Sequence, residues 1–244
     1  MDNFEDQFTR PKRHIMLYGI IALIVVGVIC LAVLIYRSSQ ENSDDLLSSI
    51  STEYVNDISL DSAGVTSNNP GVSVETADDP YVGSTDAKVH IVEFGDFECS
   101  YCNQEVEVIK QLQTLYGNQI FFQFRDFPVV ESHENAYNAA IASECAHEQS
   151  VEKYWQYHDR LFQFQESLTD ELYVSLAQRI GLNEKEFTTC FDAQSTADDV
   201  QKDYLDGLDA GVTGTPTFFI NGHRVPGAIP FDMFKKVIDQ LLEE

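Results

Sequence analysis

Two cysteines separated by two residues, Cys99 and Cys102, have the spacing of a reactive dithiol in this chain of 244 residues. An apolar, β-branched run at residues 89–94 ends at Gly95, and a helical pattern begins directly after the cysteines. We therefore expect the pair where a strand leads into a helix N-terminus. There, unpaired backbone N–H groups and the helix dipole stabilise an anion, so Cys99 is expected to ionise readily and act as a nucleophile.

Other chemistry is possible for two cysteines. A four-cysteine zinc site normally uses two closely spaced pairs, and Cys145 and Cys190 do not form one. Thiolates also select Cu(I), but no cluster of methionines or histidines accompanies Cys99 and Cys102. We predict neither a metal site nor a prosthetic group. The alternative of a different class is a tethered binding domain in which the pair forms an inert structural disulfide.

The elements around the pair follow a definite order. The helix after the cysteines has apolar residues at helical spacing, namely Val106, Ile109, Leu112 and Leu115. Residues 120–127 predict a second strand, which completes a parallel βαβ unit. Residues 132–210 predict successive helices. Asn221-Gly222 between apolar runs predicts a hairpin, and residues 231–242 predict a final amphipathic helix.

The N-terminal part of the chain predicts a membrane anchor. Residues 15–36 carry no formal charge and are long enough to span a bilayer, and their length favours a retained anchor over a cleavable signal peptide. Three cations precede this segment and one follows it directly (Arg10, Lys12, Arg13 and Arg37). By the positive-inside rule, residues 1–14 are expected in the cytoplasm and everything after the span outside it. Cys30 receives no function.

Composition separates a linker from a domain. Residues 37–78 are rich in Ser, Asn and Asp and predict a flexible linker, because they bury too little apolar surface to order themselves. Residues 79–244 have the length of one domain. The net charge of −25 repels phosphate backbones, which argues against nucleic acid as a partner.

Three phrases along the chain resemble the DsbA-like group of thioredoxin-fold proteins: IVEFGDFEC at 91–99, FRDFP at 124–128 and GVTGTPTFFING at 211–222. The predicted helices between the βαβ and ββα halves resemble the insertion of that group. The resemblance implies an α/β thioredoxin fold with an inserted α-helical subdomain at about 132–210. It also implies an enzyme, a thiol-disulfide oxidoreductase that uses the cysteine pair.

The resemblance also implies roles for residues beyond the pair. Thr215 and Pro216 are expected to carry the cis-proline that packs against the cysteines and, with Ser100 and Tyr101, to bind substrate. Glu93 stands where the family has a buried acid, which is expected to relay the proton of Cys102.

Three further residues complete the predicted set. Related proteins often have cysteines near Cys145 and Cys190, and we expect a structural disulfide there rather than two free thiols. His133, at an expected helix start, is interpreted as a local surface residue.

By the same resemblance, the function expected is a membrane-anchored, extracytoplasmic dithiol oxidase. Its substrates would be the thiols of exported proteins, and a membrane-embedded, quinone-linked partner would restore the disulfide. Reduction or isomerisation of disulfides uses the same atoms in the opposite direction and stays an alternative. The domain is expected to be a monomer.

Overall fold

A five-stranded sheet forms the centre of the fold. The computed structural model describes residues 71–243, and its strands are β1 (Tyr81–Gly83), β2 (Val89–Gly95), β3 (Ile120–Asp126), β4 (Thr217–Ile220) and β5 (His223–Pro226). They lie in the order β1-β3-β2-β4-β5, with β2 and β3 parallel and the other neighbours antiparallel. The strand that leads to the cysteines is therefore the central one.

Helices connect and cover the strands. Helix α1 (Ser100–Tyr116) joins β2 to β3, and α7 (Phe231–Glu243) follows β5. Between β3 and β4 the chain forms five helices: α2 (Ala136–His147), α3 (Val151–Gln163), α4 (Asp170–Arg179), α5 (Glu184–Asp192) and α6 (Ala197–Asp209). Short 3-10 turns occupy Gly117–Gln119 and Gln165–Ser167. The mixed α/β fold with a helical insertion is as predicted.

Local sequence explains where the insertion helices begin. The side chains of Ser150, Thr169 and Asn183 each accept a hydrogen bond from the backbone N–H three residues later, at the starts of α3, α4 and α5. Such N-caps satisfy N–H groups that have no partner within the helix.

Close packing at the end of β2 positions the loop that leads to the cysteines. Gly95 is required there, because a Cβ atom on this residue would lie 2.4 Å from the ring of Phe124. The Phe124 ring in turn packs on Phe97, with ring centroids 5.3 Å apart. The turn between β2 and α1 is thus fixed against β3.

The domain begins earlier than predicted. Val72 donates a backbone hydrogen bond to the carbonyl oxygen of Gly222 (3.0 Å), and Val74 is buried. Its apolar neighbours are Val92, Phe94, Phe127, Val212 and Phe219. The predicted end of the linker at residue 78 is therefore wrong. Two isolated valines show no periodicity, and the backbone contacts that hold this segment leave no trace in the sequence.

Strand β1 is a second difference. From the sequence, no strand is predicted at residues 81–83, yet they pair antiparallel with β3. Three residues ending in glycine are too short to show the alternation that identifies a strand from sequence.

A buried arginine fastens the N-terminal segment and α6 to β3. The guanidinium of Arg125 contacts the carboxylates of Asp79 (2.8 Å), Asp206 (2.7 Å) and Asp203, and it donates to the carbonyl oxygen of Val74 (3.0 Å). The arginine of the FRDFP phrase therefore has a structural role in this domain.

The predicted membrane segment, residues 15–36, lies outside the described residues, as do residues 1–14 and most of the predicted linker. Within residues 71–243, every helix is too short or too polar to cross a membrane.

Candidate active site

Cys99 lies at the N-cap of α1, the position that the sequence predicts for it. Its backbone N–H donates to the carbonyl oxygen of Asp96 (3.0 Å), and its thiol, when protonated, donates to the carbonyl oxygen of Thr215 (3.3 Å). The residue is 6% exposed. Cys99 is therefore largely buried, held between the helix start and the segment that precedes β4.

The pKa of the Cys99 thiol is lowered to about 5. The largest cause is the hydrogen bond from the Cys102 thiol, and the backbone N–H groups of Cys102 and Tyr101 add to it against the opposing effect of burial. These N–H groups belong to the first turn of α1, which has no helical acceptor for them. Cys99 is consequently a thiolate at neutral pH, the reactive form of the residue.

Cys102 has the opposite character. It is 1% exposed, and burial raises its pKa well above the ordinary range, with further contributions from Cys99 and Glu93. Cys99 and Cys102 are not joined to each other in this structure. In the reduced pair, the negative charge is therefore on Cys99 and the proton on Cys102.

The Thr215–Pro216 peptide bond is cis and lies against the cysteine pair through the Cys99–Thr215 hydrogen bond. Pro216 precedes β4, and its carbonyl oxygen accepts from the N–H of Gly227 (2.8 Å). The placement agrees with what the resemblance implies for this dipeptide. Ser100 and Tyr101 are exposed beside it, with 60% of Tyr101 open to solvent.

Glu93 lies in β2 and is only 3% exposed. Its Oε1 atom has no hydrogen-bond partner among the described residues. Burial raises its pKa well above the ordinary range, and the charges of Glu105 and Cys99 raise it further. Glu93 and Cys102 both line one cavity of about 230 Å³, so the carboxyl is placed to exchange a proton with the buried thiol.

The structure adds a second buried acid, Glu105, which the sequence reasoning missed. It is 2% exposed, and its Oε1 accepts from the N–H of Ile229 (3.1 Å). Burial raises its pKa to about 7. The signal was its spacing: the buried face of α1 consists of Cys102, Glu105, Ile109, Leu112 and Tyr116. Leu115, which was assigned to that face, is exposed.

Asp96 supports the loop that carries Cys99. Its buried carboxylate accepts from the N–H groups of Glu98 (2.8 Å) and Val129 (2.7 Å) and contacts Nδ1 of His133 (2.8 Å). Although burial alone would lower it, the pKa of His133 is raised by Asp96, with smaller contributions from Cys99 and Glu98. His133 is partly exposed, as expected, but it also braces the active-site loop.

Cys145 and Cys190 form a disulfide between α2 and α5, with their Cα atoms 5.8 Å apart. The bond lies within the helical insertion, and it is the pairing that the resemblance implies. Among residues 71–243, no group of three or more His, Cys, Asp or Glu side chains is arranged to hold a metal ion.

A family model described as thioredoxin matches residues 75–240. The chain belongs to the thioredoxin family. The match covers the sheet, the insertion and all but the last three residues of α7, so nearly the whole described fold is a thioredoxin-family domain.

Solved structures place the chain within the DsbA-like part of the fold. Oxidised BdbD from Bacillus subtilis has a TM-score of 0.64 at 24% identity, covering 72% of this chain and 100% of that one. The thiol-disulfide exchange protein α-DsbA2 from Wolbachia pipientis has a TM-score of 0.61 at 26% identity, covering 68% and 88%. By its description the second neighbour is a thiol-disulfide exchange protein, and this thioredoxin-family chain has the scaffold of such an enzyme.

Curated relatives match over a shorter part of their own length. The Na(+)/H(+) antiporter NhaA 1 of Salinispora arenicola is 35% identical over 158 residues, which is 64% of this chain and 24% of the antiporter. The chain spans about a quarter of the length of the curated relatives it matches. Sodium and proton exchange belongs to those proteins and is not carried over to this domain.

Proposed function

We propose that this domain is an extracytoplasmic dithiol oxidase that transfers the Cys99–Cys102 disulfide to thiols of exported proteins. The observation that carries the proposal is the asymmetry of the pair. Cys99 lies at a helix N-cap with its pKa lowered to about 5, whereas Cys102 is buried and keeps its proton. One sulfur is thus suited to be attacked and to leave as a thiolate, and the other is withheld from solvent.

The reaction follows from these positions. In the oxidised enzyme, a substrate thiolate attacks Sγ of Cys99, and the bond to Cys102 breaks. The electron pair leaves on Cys102, which takes up a proton. A second substrate thiolate attacks the substrate sulfur of the mixed disulfide and releases Cys99 as a thiolate. The substrate loses two electrons to the enzyme.

The direction of exchange is argued from the leaving group. A thiol of low pKa leaves more readily, so the pKa of Cys99 favours donation of the disulfide over its acceptance. Equilibration of the domain with glutathione at defined ratios measures this directly. An oxidase is expected to be reduced at higher potentials than a reductase, and a potential near that of cytosolic reductants would favour the reductase alternative.

An extended peptide is the form of substrate that the cleft suits. Thr215 and Pro216 lie against Cys99, and the exposed ring of Tyr101 offers an apolar contact beside them. Backbone groups next to an extended segment can pair with a peptide strand irrespective of its sequence. We therefore propose unfolded or newly exported chains as substrates, with little selection among side chains.

The setting that we propose is the outer face of a membrane. Residues 1–14 would be cytoplasmic, 15–36 would span the bilayer and 37–71 would form the tether, with the domain following as a monomer. The charge distribution around residues 15–36 supports this arrangement, and so does the Cys145–Cys190 disulfide, because disulfides persist in oxidising compartments. A membrane-embedded partner would reoxidise the pair.

A transfer assay tests the activity. The oxidised domain is mixed with a peptide that contains two cysteines, and formation of the peptide disulfide is followed by mass. Stoichiometric transfer is expected, and Cys99→Ala should abolish it. The matched control is the Cys145→Ala/Cys190→Ala double variant, which should still transfer. If the wild-type domain does not transfer, the inert structural disulfide becomes the better account of the pair.

A trapping experiment tests the substrates and the setting. In cells that produce the full chain, Cys102→Ala should accumulate mixed disulfides between Cys99 and exported proteins. They form when the Cys99 thiolate attacks a disulfide of an exported protein, which is the reverse of the transfer step, and Cys102 is no longer present to displace the bound protein. The domain should also be cleaved by protease added outside the membrane. Absence of trapped proteins would contradict the oxidase proposal, and protection from external protease would contradict the topology.

A further inference from the structure

Two buried carboxyl groups, Glu93 and Glu105, belong to the two elements that meet at the buried thiol of Cys102. Glu93 reaches it from β2 and shares its cavity, whereas Glu105 follows it by three residues on the same face of α1. Within the described part of the chain, Oε1 of Glu93 and Oε2 of Glu105 have no hydrogen-bond partner. Buried polar atoms are nearly always hydrogen-bonded in proteins, so two unsatisfied carboxyl oxygens at one site require an explanation.

The two carboxyls are not equivalent. Glu105 accepts a hydrogen bond from the N–H of Ile229 (3.1 Å), which favours its ionised form. The Oε1 atom of Glu93 receives none from the described residues, and its strand neighbours in register are Phe124 and Phe218. Two nearby carboxylates in a buried site disfavour each other's ionisation. The charge is therefore more stable on Glu105 and the proton on Glu93.

Glu105 also connects the cysteine helix to the proline loop. Ile229 follows β5 in the segment that begins with Gly227, and Gly227 donates to the carbonyl oxygen of Pro216 (2.8 Å). The segment 227–229 is thus hydrogen-bonded at one end to Glu105 and at the other end to Pro216, which lies beside Cys99. A substitution at Glu105 is therefore expected to affect the peptide cleft at Pro216 as well as the protonation of Glu93.

Other charged groups near the site are already engaged. The cavity is also lined by Lys110, Glu152, His158 and Asp159. Lys110 pairs with Asp159 (2.7 Å), Glu152 is exposed, and burial lowers the pKa of His158. On α7, Lys235 and Asp239 form an ion pair, and Asp239 accepts a hydrogen bond from the hydroxyl of Tyr116. Tyr116 lies about 16 Å from Glu105 along the axis of α1, at a rise of 1.5 Å per residue. None of these contacts neutralises Glu105.

We propose that Glu105 is a positioning residue of the exchange reaction: its carboxylate keeps the proton on Glu93, from which it passes to Cys102 when Cys102 is expelled. This inference rests on the function proposed above. In the step, the substrate thiolate bonds to Sγ of Cys99, and the Cys99–Cys102 bond breaks with its electron pair on Cys102. The Glu93 proton moves to that sulfur, and solvent later returns a proton to the carboxyl pair. Reoxidation runs the transfer in reverse.

The test is Glu105→Gln, which keeps an acceptor for Ile229 and removes the charge. Carboxyl ¹³C NMR of the oxidised protein gives the titration midpoints of Glu93 and Glu105, assigned with Glu93→Gln and Glu105→Gln. In the wild type, Glu105 should titrate near 7 and Glu93 above it. In Glu105→Gln, the Glu93 midpoint should fall by about one pH unit or more, as expected for loss of a like charge. Glu107→Gln, on the exposed face of α1, is the matched control.

The kinetic readout separates positioning from structure. The pH profile of disulfide transfer should shift to lower pH in Glu105→Gln, in the direction of the Glu93 midpoint, and should be unchanged in Glu107→Gln. An unchanged Glu93 midpoint, or a wild-type Glu105 that titrates at its ordinary value, would overturn the inference without touching the oxidase proposal. The titration midpoints of Glu93 and Glu105 are measured without substrate. An inactive wild type would therefore overturn the proposed function and leave the measured placement of the proton on Glu93 unaffected.

Discussion

The thiol of Cys99 donates a hydrogen bond to the carbonyl oxygen of Thr215, 116 positions further along the chain and 3.3 Å away. This contact joins the two halves of the fold at the point where exchange would occur. It places the end of the central strand β2 and the start of β4 around one sulfur atom.

The first prediction concerns the ionisation of Cys99. In the reduced protein, alkylation of Cys99 by iodoacetamide should rise with pH around a midpoint of about 5. Cys102→Ala should move the midpoint upward, because the Cys102 thiol is the main source of the lowered pKa. Absorbance of the thiolate at 240 nm measures the same transition. A midpoint near 8.5, the approximate value for a free cysteine, would contradict the assignment of Cys99 as nucleophile.

The same pKa predicts how stability depends on pH. A group whose pKa is lower in the folded state stabilises that state above its unfolded pKa and loses the effect as pH falls through the folded value. The unfolding free energy of the reduced protein, relative to the oxidised one, should therefore increase from about pH 5 to about pH 8.5. Urea titrations of both forms at several pH values measure the difference. A difference that does not vary with pH would argue against the buried thiolate.

For Glu93, the expected dependence of stability on pH has the opposite sign. Its pKa is raised on folding, so its contribution is favourable below the unfolded pKa and is lost as pH rises through the folded value. Glu93→Gln should accordingly increase thermal stability at alkaline pH more than at pH 5, while slowing transfer through Cys102. Melting curves across this range, with Glu107→Gln as control, test the prediction. Equal gains at both pH values would indicate a packing effect instead.

The Cys145–Cys190 disulfide predicts a stability effect that is separate from activity. Its loss should lower the unfolding free energy by roughly 4 kcal/mol in the chain-entropy model, because the bond closes a loop of 45 positions. The Cys145→Ala/Cys190→Ala variant should show this in urea while its Cys99 alkylation midpoint stays at the wild-type value. A shifted midpoint would reveal coupling between the insertion and the exchange site.

Arg125 predicts the largest change away from the cysteines. Arg125→Met would leave Asp79 and Asp203 buried without their cation, and breaking a buried ion pair in this way costs about 3–5 kcal/mol. Lys202→Met is the control, because its pairs with Asp78 and Asp206 are exposed and are expected to contribute less than about 1 kcal/mol. Urea midpoints compare the two, and equal losses would contradict the structural role of Arg125.

Local patterns predicted much of the fold and the centre of the site. The strand before Cys99, the helix after it and the Asn221-Gly222 hairpin follow from hydrophobic periodicity and turn chemistry, which depend on neighbouring residues. The roles expected for Thr215, Pro216 and Glu93 came from the family resemblance. Each of these residues lies in one of the sequence segments that carry the resemblance, Glu93 in 91–99 and Thr215 and Pro216 in 211–222.

The parts that were missed depend on contacts across the chain. Glu105 has a residue type that usually faces solvent, and although its spacing puts it on the buried face of α1, the packing of the Ile229 segment on it could not be predicted from local sequence. The contact of Asp96 with His133 joins residues 37 positions apart. The ordered segment at Val72 and Val74 is held by two hydrogen bonds that hydrophobic periodicity does not reveal. The N–H of Val72 donates to the carbonyl oxygen of Gly222, and the guanidinium of Arg125 donates to the carbonyl oxygen of Val74.

The hydrogen bond between Val72 and Gly222 determines where the chain enters the domain. Gly222 follows Asn221, which exchanges backbone and side-chain hydrogen bonds with His90 near the start of β2, whereas Cys99 follows the end of that strand. The entry point and the nucleophile are therefore separated by the length of β2, roughly 20 Å at 3.3 Å per residue. A domain attached through its N-terminus, whether to a bead or to a bilayer, presents its reactive sulfur on the far side from the attachment.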